Sequence, residues 1–206
     1  MNNSKFSYAL HTFERGRLSD PKASRFYGDP YVPASLADKF DENFIFLAQL
    51  RLDMLKGWDS EELLPHEGYL YLFIDAEMYP SNDLYVFAEY TTEEPDTLLE
   101  GFNARSPIKE GLNEPYEIMP INMSGYAEDG GTRLFGLDMN YKDIGVLLQY
   151  SPRDFPGVPF LADLDGYMYI IFGEEGLSDA RFVVEPDTDE DRKLMKKAEN
   201  CCWTTE

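Results

Sequence analysis

Two stretches of this chain repeat the same order of side chains. In the first, Phe46-Leu47-Ala48-Gln49-Leu50 precedes a loop and then Gly68-Tyr69-Leu70-Tyr71-Leu72-Phe73-Ile74. In the second, Val146-Leu147-Leu148-Gln149-Tyr150 precedes a loop and then Gly166-Tyr167-Met168-Tyr169-Ile170-Ile171-Phe172. Each passage is an apolar run ending on glutamine, a turn, and Gly-Tyr-x-Tyr opening a longer apolar run. A further apolar run follows in both, Leu84 to Tyr90 and Arg181 to Glu185. An internal duplication of this kind restricts the chain to architectures that use one β-rich unit twice.

Within the first unit, Tyr69, Tyr71 and Phe73 fall on one face of a strand and Leu70, Leu72 and Ile74 on the other. Both faces are apolar, so the strand belongs in a sheet covered on both sides. Pro80-Ser81-Asn82-Asp83 supplies the turn into Leu84–Tyr90. Tyr116 to Met123 alternates as a strand, and Asp129-Gly130-Gly131-Thr132 predicts a tight hairpin after it. From Phe6 to Leu18 the apolar spacing is weakly helical. At the far end Thr188 and Asp191 resemble a capping box, with Lys193, Lys196 and Lys197 placed to suit a helix dipole. The expected fold is one compact α+β domain over residues 1–206. It comprises two sequence-related, mainly antiparallel β units at about 25–91 and 125–187, a linking excursion at 92–115 and a C-terminal helix at 188–200.

A chain of 206 residues buries roughly 70% of the surface it exposes when unfolded, so a core needs no covalent staples. Its two cysteines, Cys201 and Cys202, are adjacent and make no disulfide framework. With no apolar leader and no long apolar span, the expected setting is the reducing cytoplasm. Eighteen Lys and Arg against 39 Asp and Glu give a net charge of −21. A field of that sign repels phosphate backbones and anionic lipid, which argues against nucleic-acid and membrane partners. It speeds encounter with a basic protein.

Catalytic signals are missing. His11 and His66 are the two histidines, and neither stands in a nucleophile or zinc-protease pattern. Asp187-x-Asp189-x-Asp191 opens like a calcium loop, but Arg192 replaces the glycine of the bend and Ala198 the closing glutamate. Asp163-x-Asp165 fails in the same way, with Phe172 at the closing position. No metal, cofactor or catalytic residue is therefore assigned. The residues singled out for ligand binding are Gln49, Gln149, Tyr71 and Tyr169. A glutamine ending an apolar strand must bond its amide. Its recurrence points either to a reciprocal structural role or to a cleft between the repeats lined by both amides.

The set Gly28-x-Pro30-Tyr31-x-Pro33, Phe46-Leu47-Ala48-Gln49-Leu50 and Gly68-Tyr69-Leu70-Tyr71-Leu72-Phe73 resembles the YwqG-like family, a domain of unknown function. Leu147-Leu148-Gln149 and Gly166 to Phe172 match its second half, so the resemblance covers roughly residues 25 to 187. It departs at Tyr27-Gly28, where Gly-Gly is usual, and at Tyr150-Ser151, where Ile-Asp is usual. The resemblance implies an α+β fold with duplicated antiparallel units, and it brings no activity. Immunity-type proteins have been suggested within that family. Three functions follow as expectations. The first is a non-enzymatic acidic module binding a basic protein, the second a small-ligand or hydrolytic site between the repeats, and the third a scaffold that self-associates through an apolar face.

Overall fold

The structure is a computed structural model that describes residues 7–40, 43–59, 62–75, 83–104, 111–124, 131–135, 145–158, 166–173 and 176–186. Its strands are β1 (Ser7–Thr12), β2 (Arg25–Phe26), β3 (Tyr31–Val32), β4 (Phe44–Arg51), β5 (Tyr69–Asp75) and β6 (Asp83–Thr91). They continue with β7 (Thr97–Leu98), β8 (Tyr116–Ser124), β9 (Arg133–Leu134), β10 (Val146–Tyr150), β11 (Gly166–Gly173) and β12 (Gly176–Pro186). Ten of them close into an antiparallel barrel in the order β1-β8-β2-β4-β5-β6-β12-β11-β10-β9, with β9 returning to β1. The remaining two, β3 and β7, pair with each other outside the ring.

The α+β expectation is therefore corrected. The described residues are almost entirely β, and none of their helices reaches seven residues. The physical reason is that both faces of the first unit's wall are apolar, and among the described residues its outer face is covered by loops and short 3-10 turns instead of helices. The segment after Phe6, with its helical spacing, begins as β1. Tyr8 and Leu10 point into the barrel at a spacing of two, while Phe13 lies on the outside, so the apparent period of four mixed two faces. The proposed C-terminal helix at 188–200 lies outside the described residues.

Every strand of the ring contributes to one interior cluster, from Tyr8 and Leu10 on β1 round to Ala180 and Phe182 on β12. The recurring glutamine motif is the signature of a bulge in this wall. The register slips between Phe46 and Ala48 on β4 and between Val146 and Leu148 on β10. Each slip sends two successive residues, Leu47 and Ala48 or Leu147 and Leu148, into the core, and turns the following glutamine outward. The carbonyl at each bulge accepts an N–H from across the sheet, Tyr27 N–H to Leu47 O at 2.9 Å and Phe135 N–H to Leu147 O at 3.0 Å. Tyr27 and Phe135 both hold positive φ, at 59° and 57°, so the same unusual backbone recurs.

The correspondence reaches beyond the two motifs. Arg25 pairs with Gln49 and Arg133 with Gln149; Tyr116 pairs with Phe26 and Tyr8 with Leu134. Arg51 N–H bonds the Ser24 hydroxyl at 2.8 Å, and Ser151 N–H bonds that of Thr132 at 3.1 Å. Ile118 N–H reaches Ser24 O at 2.9 Å, and Leu10 N–H reaches Thr132 O at 3.0 Å. The barrel is thus two five-strand units, β1-β2-β4-β5-β6 and β8-β9-β10-β11-β12, related by a local two-fold axis. Their leading strands are exchanged: β1 lies against β9 of the second unit, and β8 against β2 of the first. A hairpin between β8 and β9 is consequently not formed, because β1 lies between them.

Candidate functional site

Each unit carries an outward-facing row of polar and aromatic side chains fixed by sheet register. Arg25, Gln49 and Tyr71 stand side by side on β2, β4 and β5. Arg133, Gln149 and Tyr169 do the same on β9, β10 and β11. Gln49 and Tyr71 are therefore together, as are Gln149 and Tyr169. The two glutamines are not brought together. Their strands are five apart in a ring of ten, on opposite walls, and both side chains point away from the interior.

Both amides serve the backbone. Gln49 Nε2 donates to the Ala23 carbonyl at 3.4 Å, and Gln149 Nε2 to the Gly131 carbonyl at 2.9 Å, which occupies the matching place in the second unit. The Tyr71 hydroxyl donates to Tyr31 O at 3.0 Å, and burial holds its pKa above the usual tyrosine value. Tyr169 is buried with Val146 and Ile171 on the opposite outer wall. Two motif-matched glutamines thus place the wall against its preceding loop, and their shared feature is explained by the bulge.

The first row is roofed. Val32, Leu36, Phe40 and Phe102 pack over Phe46, Tyr69, Tyr71 and Phe73, with Phe40 stacked on Phe73 at 3.6 Å. Asn103, fully buried, holds the roof down. Its Oδ1 accepts Phe46 N–H at 3.0 Å, and its Nδ2 meets Phe46 O at 2.9 Å and Gly28 O at 3.2 Å. Beneath it Arg25 is 1% exposed. Its Nη1 donates to Pro21 O at 2.5 Å and its Nη2 to Asp29 O at 2.6 Å, while the guanidinium sits 5.9 Å from the Phe46 ring centre. Burial pulls its pKa down to about 10, so it remains a cation at neutral pH. Arg25, Arg133 and Asn103 were missed in the sequence reading. The available signal was Ser24-Arg25-Phe26-Tyr27 against Thr132-Arg133-Leu134-Phe135, a hydroxyl, an arginine, an apolar residue and an aromatic in both units.

Inside the barrel the Tyr27 and Tyr150 hydroxyls share a hydrogen bond, ringed by Phe26 and Phe155. Burial raises both phenol pKa values, so both stay protonated at neutral pH. The two histidines have separate settings. His66 Nε2 lies 3.4 Å from Asp59 Oδ2, and Asp59 itself receives Leu63 N–H at 3.1 Å and Leu64 N–H at 2.9 Å. The His11 ring meets the Phe13 ring edge-on at 4.7 Å on the outer surface. Among the described residues no group of three or more His, Cys, Asp or Glu is placed to hold a metal ion. The acidic runs at 163–165 and 187–191 lie outside the described residues. No helix of the described residues is long and apolar enough to cross a membrane. No protein-family model matches the chain, and no curated protein matches it.

Proposed function

We propose that this chain is a non-enzymatic, acidic protein-binding module of the cytoplasm whose partner is a basic protein. The observation that carries this reading is the net charge of −21. Part of the opposing charge is already engaged: of the 18 Lys and Arg, Arg15, Arg17, Lys22, Lys39 and Arg51 each contact a carboxylate within the molecule. Carboxylates on Asp38, Glu62, Glu67 and Glu93 are exposed. Such a surface steers a cationic partner into contact and gives an association that weakens with salt. The resemblance to the YwqG-like family fits an inhibitor or immunity role for the module. The test is capture of partners by the tagged chain at low salt, repeated at moderate salt. One stoichiometric basic protein released by salt is the expected result, and an affinity indifferent to salt overturns the electrostatic reading.

A second reading, self-association, is favoured by the outer face of β1 and β8. Phe13, Met119 and Ile121 are 40%, 46% and 45% exposed there, with His11 paired across from Met119. His11 and Phe13 correspond to Met119 and Ile121 under the local two-fold, so the strip is itself nearly symmetric. Sedimentation at high protein concentration decides it: a monomer removes this reading, and a dimer abolished by Ile121→Lys supports it.

A further inference from the structure

We propose that one water molecule is bound beneath the roof of the first unit, between Arg25, Gln49 and Asp29. Arg25 Nε, Gln49 Oε1 and Asp29 Oδ1 are each buried and have no hydrogen-bond partner among the described residues. Arg25 and Gln49 are 1% and 0% exposed, so bulk solvent does not serve them. In a native fold such atoms are almost always satisfied, because leaving them bare forfeits their solvation with nothing in return.

The fold gathers the three. Arg25 and Gln49 are direct cross-strand partners on the outer face, a relation that puts their Cβ atoms about 5 Å apart. Arg25 Nη2 already holds the main-chain carbonyl of Asp29 at 2.6 Å, which brings that residue to the guanidinium. The other carboxyl oxygen of Asp29, Oδ2, is used by Gly101 N–H at 2.9 Å.

The chemistry of the bound species follows from the unmet groups, one donor and two acceptors. An anion satisfies the guanidinium and meets two oxygens with no hydrogen to give. A cation satisfies the oxygens and faces the charge of Arg25. Water takes one hydrogen and gives two, which suits a buried water's usual complement of about three bonds. It would join the barrel wall, through β2 and β4, to the roof, through Asp29 and Gly101. Gln149 Oε1 in the second unit is likewise buried without a partner among the described residues, so the glutamine carbonyl is alike in both units.

A high-resolution crystal structure of the full chain, grown with bromide, is the test. The expected result is a density peak about 2.7–3.2 Å from all three atoms, with no anomalous signal. An anomalous peak there overturns water in favour of an anion. An absent peak, or a Gln49 side chain turned to bond Arg25 directly, overturns the site altogether. In solution, the Arg25 Nε–H resonance should show a direct cross-peak to a long-lived water that Gln49→Met removes. If that variant does not fold, the wild-type cross-peak decides alone: its absence rejects the site.

Discussion

Asn103 does the work of a strand at one residue. Phe46 pairs with Phe73 on β5, but the two-residue β2 pairs β4 only at Ala48 and Gln49. On that open side the carboxamide supplies both an acceptor for the Phe46 N–H and a donor for its carbonyl. Asn103→Leu keeps the volume and strips both. Each buried group left bare costs about 1–3 kcal/mol, so urea denaturation should show a loss at the upper end of single-site effects. Asn103→Asp keeps the acceptor but turns a buried carboxylate oxygen toward the Phe46 and Gly28 carbonyls, and should cost at least as much at neutral pH. At this scale the sequence was only partly legible. Gln49 and Gln149 stood out because the motif around them is contiguous. Arg25 and Arg133 did not, because Arg25 precedes its glutamine by more residues than Arg133 does and the match is interrupted by loops of unequal length. Nothing local marks Asn103, since its partner Phe46 is remote in sequence.

Among the elements, the roof over the first unit is held by aromatic packing as much as by hydrogen bonds. Phe40 is 8% exposed and lies flat on Phe73. Phe40→Ala removes the stack and should cost about 3–5 kcal/mol if the roof cannot collapse into the gap. Faster protease cleavage near β3 and β7, with the barrel's far-UV circular dichroism retained, would show that the roof opens before the wall. The long two-faced runs of β4, β5, β10 and β11 were readable because the barrel wall is apolar inside and covered outside. β1 was not, since only its inner face is continuous and its outward residues are mixed. The helical spacing from Phe6 to Leu18 misled for a related reason: it merged the inner and outer faces of β1 into one period.

At the scale of the whole molecule, the buried phenols set a limit to alkaline stability. Tyr27, Tyr71 and Tyr150 all have pKa values raised above the ordinary 10.0, chiefly by burial. The unfolded chain gives up these protons near pH 10 while the folded chain keeps them. Stability present below that pH is therefore lost as the pH climbs above it. Arg25, with its lowered pKa, acts in the opposite sense. Tyrosinate absorbance should rise in two stages, the second coinciding with loss of near-UV circular dichroism. A single stage near pH 10 with the fold intact would contradict this.

Leu10 and Ile118 occupy matched places on the exchanged strands, and both are buried. Each alanine substitution should lower the midpoint of one common thermal transition by a similar amount, with about 2–5 kcal/mol lost in either case. Two separate transitions would mean that the halves melt independently.

The exchange of leading strands also bears on how such a chain could arise. One five-strand unit has a gap beside its own second strand that only another unit's first strand fills. Standing alone it could close the same ring only by embracing its twin, each lending the other its first strand. The present chain is the covalent form of that embrace, with both partners encoded in tandem. Cutting it at the midpoint would leave two interdependent pieces of one ring, neither of them a domain.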